Sequence, residues 1–61
     1  MQYYILRKQK LWGKWEYSTA PKANRGYTDI VEVSKILVAL ENLNVDENVS
    51  FIIVNDSTNP N

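Results

Sequence analysis

The side chains of this chain best suited to chemistry or contact are gathered in one stretch. Arg7, Lys8, Lys10, Trp12, Lys14, Trp15 and Tyr17 interleave cations with large rings. Two kinds of recognition use such a mixture. Cations that track phosphates and rings that stack on bases grip single-stranded nucleic acid. Trp, Tyr and Arg are also the residues that anchor protein interfaces. Catalysis has much less to work with. The chain has no histidine and no cysteine, so the usual general base near neutral pH and the thiolate ligands of zinc are both missing. Asp46 and Glu47 are adjacent in a polar turn, and Glu41 falls late in a helical segment on its polar side. No two carboxylates are spaced to share a buried face, as acid/base chemistry requires. Two glycines in all leave no phosphate-cradling loop. The expectation is a protein that is not an enzyme and uses no cofactor and no metal.

Charge sharpens the choice between the two kinds of recognition. Residues 1–26 hold six cations against Glu16, a balance of +5, and residues 27–61 hold Lys35 against six carboxylates, a balance of −5. The chain is neutral overall with a pI near 6.1, short of the basic footprint of a dedicated nucleic-acid binder. The favoured reading is a small protein-binding protein of adaptor or inhibitor type. Trp12 and Trp15 serve as anchors, Tyr17 lies beside them, and Arg7, Lys14 and Arg25 form the charged rim. Binding of RNA or single-stranded DNA through the same hairpin is the alternative.

These residues need elements to hold them. Sixty-one residues predict one domain, here 1–55, followed by a polar tail at 56–61 expected to fray. QYYILRK at 2–8 reads as a strand with apolar side chains on both faces, hence a central one. A second strand is expected over roughly 13–19, after a turn near Gly13. Trp15 and Tyr17 then share one face, provisionally the core face. APKANRG at 20–26 reads as a basic, mobile loop. Asp29 followed by Glu32 signals a helix start. Ile30, Val33, Ile36, Leu37, Leu40 and Leu43 make a helical stripe. Asn44 is expected to end the helix in the left-handed conformation, with Val45 folded back. VSFIIV at 49–54 is a third strand.

The order β-β-α-β predicts an α+β fold: a three-stranded antiparallel sheet, order 2-1-3, with one helix packed on one face. The expected core is Ile30, Val33, Leu37, Leu40, Leu43, Ile5 or Leu6, Phe51 and Ile53. Nothing in the chain remains to cover the other face, so an open apolar face is expected. A partner there would be another protein, of no stated identity, or a second copy in a homodimer. MQYYILRKQK lacks the pattern of a secretory signal, and no apolar run approaches the ~20 residues of a membrane span. The expected location is cytoplasmic, with no membrane partner. In size and composition alone the chain is similar to the short orphan proteins of phages and mobile elements, which act by adhering to a host factor.

Overall fold

The computed structural model describes residues 1–60. Its elements are β1 (Tyr3–Gln9), β2 (Glu16–Tyr17), α1 (Ile30–Leu43) and β3 (Val49–Asn55). The sheet is antiparallel with order β2-β1-β3. β1 is central, as its two-sided apolar pattern requires. It pairs along its whole length with β3, from Tyr3 opposite Asn55 to Gln9 opposite Val49.

α1 begins at Asp29, whose carboxylate accepts from the Val31 N–H at 2.9 Å. Ile5, Ala23, Tyr27 and Val33 are buried together, with Tyr3, Ile36, Leu37, Leu40, Phe51 and Ile53 packed around them. Two members of the expected core are not there. Ile30 is half exposed and Leu43 is 80% exposed, because only the narrower stripe Val33–Ile36–Leu37–Leu40 lies against the sheet. The end of the helix also differs from expectation. Asn44 is extended (φ −75°, ψ 121°), and its side chain instead closes a turn. It donates to the Asp46 carbonyl at 2.7 Å and accepts from the Asp46 N–H at 3.3 Å. Val45 is consequently left 98% exposed rather than folded back.

β2 is two residues long, where seven were expected. Gly13, at φ +104°, takes a conformation that side-chain-bearing residues resist. Pairing with β1 is confined to Tyr17 opposite Leu6 and Glu16 opposite Arg7. One further bond, from the Ser18 N–H to the Ile5 carbonyl at 2.9 Å, precedes the departure of the chain. The segment expected to be a mobile loop folds into a cap. Turn bonds run from Ala23 to Ala20 and from Gly26 to Lys22, and Ala23 is buried. Tyr27 then rejoins the sheet beside Tyr3 through two backbone bonds of 2.8 Å. Its ring is buried, and its O–H donates to the Pro21 carbonyl.

The face of the sheet away from α1 lacks a covering element yet is not open. Leu6 on that face is completely buried and Val54 nearly so. Tyr17 and Ile52 flank Leu6 in the register, and Tyr4 and Tyr17 meet at 6.0 Å between ring centroids. Of the tail expected to fray at 56–61, residues 56–60 are tied down, and Asn61 lies outside the described residues. Asp56 accepts from the Gln2 N–H at 3.0 Å and the Tyr4 O–H at 2.8 Å, and the Asn59 amide donates to the Tyr17 hydroxyl at 3.1 Å. The sheet thus has a helix-backed core and a second, aromatic-lidded one.

The Asp56 tie gives a pH prediction. The Gln2 N–H, then the Tyr4 O–H, hold the Asp56 carboxyl below its ordinary value. A carboxyl lowered on folding stabilises the fold above its unfolded value, near pH 4, and that contribution is lost as pH falls through the folded value. Thermal melts are expected to show Tm declining below about pH 4, with a shallower decline in Asp56→Asn. Equal declines in both proteins would contradict the tie.

Candidate functional site

Local folding separates the six residues singled out from the sequence. Trp15 immediately precedes β2 and Tyr17 ends it, so they share a face as alternation requires. That face is the one turned away from α1, a correction to the provisional placement. The Lys8 ammonium sits 5.3 Å from the centre of the Trp15 ring, within cation–π reach. Both rings are half-buried; Tyr17, opposite Leu6, is part of the lid over it, and Trp15 lies against the Lys8 side chain. Arg7 is engaged with Glu16 at 2.8 Å, a partly exposed pair that contributes little to stability.

Trp12 differs from the other large rings. It sits before Gly13 in the loop between β1 and β2, and it is 71% exposed, with Leu11 beside it 83% exposed. The Lys10 N–H donates to the Asn48 carbonyl at 2.6 Å. This bond joins the β1–β2 loop to the turn that follows α1. Leu11 and Trp12 therefore share one end of the molecule with Leu43 and Val45, which are the other strongly exposed aliphatics of that region. Lys14 is at this end as well. Arg25 is not: its loop leads to Tyr27, which pairs with Tyr3 at the far end of β1. Seven strand residues separate the two ends by about 20 Å.

Trp12 stands out in the sequence as a contact residue, whereas Leu43 and Val45 read there as core and helix-stop residues. Only the narrowness of the buried helical stripe reveals them as surface. The charge division between the halves of the chain also resolves in three dimensions. Lys10 and Lys14 share their end with Asp46 and Glu47, and Lys22 and Arg25 line a hollow with Glu32. Each end carries both signs, and the cations form no single track.

Among the described residues no group of three or more metal-ligating side chains is assembled. Two tyrosines have raised phenol pKa values: Tyr4 mainly because its O–H is held by Asp56, and Tyr27 because it is buried. With the Asp56 carboxyl lowered, each of these groups is moved further from neutral pH. Among the described residues no helix is long and apolar enough to cross a membrane.

Against known proteins, no family model, no curated protein and no solved structure matches the chain.

Proposed function

We propose that this is a small, non-catalytic protein-binding protein whose contact surface is the end of the sheet bearing Trp12. One observation carries the reading. Trp15 and Tyr17 are taken up in packing, whereas Trp12, Leu11, Leu43 and Val45 present a large apolar surface to solvent at one end. Exposed aromatic and aliphatic groups rimmed by charge are the usual makings of a protein hot spot. Trp12 is the anchor, Leu11 extends it, and Lys10, Lys14, Asp46 and Glu47 supply a rim of both signs. The proposed setting is the cytoplasm, in keeping with a chain that has no cysteine.

Quantitative affinity capture tests this. Trp12→Ala is expected to keep the wild-type circular dichroism spectrum and to lose at least tenfold of a specifically captured protein. Arg25→Ala, altered at the opposite end, is expected to keep it. Capture that is indifferent to Trp12 would overturn the reading. So would tight binding of single-stranded oligonucleotides that weakens steeply with salt, the signature of phosphate contacts.

A further inference from the structure

The outer edge of β3 is open over a short window. In an antiparallel ladder, successive residues turn their backbone groups to alternate sides. Tyr3 and Ile5 bond toward Tyr27 and Ser18, so Tyr4, Leu6 and Lys8 bond toward Val54, Ile52 and Ser50, their partners in the register. Val49, Phe51, Ile53 and Asn55 therefore turn their N–H and C=O groups outward. The two ends of that edge are closed within the chain. The Val49 N–H donates to the Asp46 carbonyl at 3.3 Å, and the Asn55 N–H to the Thr58 hydroxyl at 3.0 Å. The Asn55 carbonyl accepts from Thr58 and Asn59. Among the described residues, what remains is both polar groups of Phe51 and of Ile53, with the Val49 carbonyl beside them. Strands that end a sheet are normally blunted by charge, proline or a bulge. VSFIIVN has no charge and no proline, and its pairing with β1 is unbroken.

A second unpartnered surface lies on the same side. Glu41 lines a hollow with Val49, Ser50 and Phe51, whereas Glu32 lines one with Lys22, Gly26 and Tyr27. The Glu41 flank of α1 therefore faces the β3 edge, and the Glu32 flank faces the cap. At 3.6 residues per turn, Ile30, Ser34 and Val38 share the Glu41 flank, with Val31 and Lys35 next to them. These five residues line a shallow apolar depression of about 430 Å³. Val31 and Val38 are each more than half exposed.

We propose that both surfaces are covered by a second copy of the chain. The two protomers are related by a two-fold axis at Ile52, which joins their sheets edge to edge through β3. In this register Phe51 of one protomer pairs with Ile53 of its partner and the reverse, so the N–H and C=O groups of Phe51 and Ile53 are all used, in four hydrogen bonds. An added peptide strand would satisfy the edge and leave the helix flank bare. A second copy satisfies both, because the two-fold brings the α1 helices side by side on one face of a six-stranded sheet. α1 packs on β1 and β3 and not on β2. With strands about 4.8 Å apart, a helix over the β1–β3 gap lies about 5 Å from the axis. It is then about 10 Å from its mate, the spacing at which helices pack. The small side chains of Ser34, Val31 and Val38 permit that approach. A stable dimer buries roughly 600–800 Å² per protomer. The helix contact adds to a strand edge that would fall short alone. The assembly closes at two, since the other side of the sheet is occupied by the short β2 and by Tyr27.

Sedimentation equilibrium from 5 to 200 µM tests this independently of the Trp12 surface. The wild-type protein is expected to reach twice the 7.1 kDa chain mass. Two variants are expected to stay at the single mass with unchanged circular dichroism: Val38→Glu, and a synthetic chain with an N-methyl group on the Ile53 amide. Trp12→Ala is expected to dimerise like wild type. Amide exchange at Phe51 and Ile53 is expected to slow as concentration rises. A monomeric wild-type protein at 200 µM would overturn the proposal. So would a folded Val38→Glu or N-methyl chain that still dimerises, or a Trp12→Ala chain that does not.

Discussion

Leu6→Ala is expected to cost about 3 kcal/mol, in the range for truncating a fully buried leucine, and so to remove a large fraction of the fold's stability. A domain of this size has roughly 3–9 kcal/mol of total stability. The prediction is informative because Leu6 lies on the face that α1 does not cover. On a sheet with one bare face, the side chain would already be hydrated and its truncation would be nearly free. Here it is sealed between Tyr17 and Ile52, with Tyr4 and the tail above, and it has no exposed surface. The cavity left by alanine cannot collapse easily, because the lid rings are held by bonds to Asp56 and Asn59. Urea denaturation of the two proteins is the direct measurement. A loss below about 0.5 kcal/mol, the level of a surface change, would mean that the aromatic lid is not closed in solution.

Tyr27→Ala is expected to cost more, about 3–5 kcal/mol by analogy with other buried aromatics, and to lower the unfolding transition by well over ten degrees or abolish it. Tyr27 joins three things. Its ring fills the core with Ile5 and Val33, its backbone pairs with Tyr3, and its hydroxyl secures the cap through Pro21. Tyr27→Phe separates these contributions. It keeps the ring and removes one hydrogen bond, so the expected loss is about 1 kcal/mol. Circular dichroism melts of the two variants would show the division. A Tyr27→Ala protein that melts within a few degrees of wild type would show that the segment at 20–27 is a mobile loop.

The parts of this architecture legible in the sequence are those governed by strong periodicity. The two-sided apolar run Tyr3–Leu6 marks a central strand, and the Val33–Leu40 stripe marks a helix. Chain order and the antiparallel requirement then leave the strand order 2-1-3. What was not legible depends on contacts between distant segments. Ile30 and Leu43 fit the helical period but fall at the edges of the stripe, beyond the reach of a three-stranded sheet. Tyr27 gave no signal, since a lone tyrosine after a glycine in a polar stretch resembles any loop residue. The tail looked free because Asp56 and Asn59 are ordinary polar residues, and their partners, Tyr4 and Tyr17, are more than forty residues away. Among the aromatics, alternation paired Trp15 with Tyr17 correctly but could not say which face they occupied.

On the proposed reading, Trp12 is the large ring left free for a partner while Trp15 and Tyr17 pack on the second face. Photo-crosslinking tests this most directly. A benzoyl-phenylalanine is placed at position 12 in one chain and at position 25 in another, and each is irradiated in cells producing it. A discrete protein adduct is expected from position 12, absent or at least tenfold weaker from position 25. Equal adducts from the two positions, or adducts to nucleic acid alone, would contradict it.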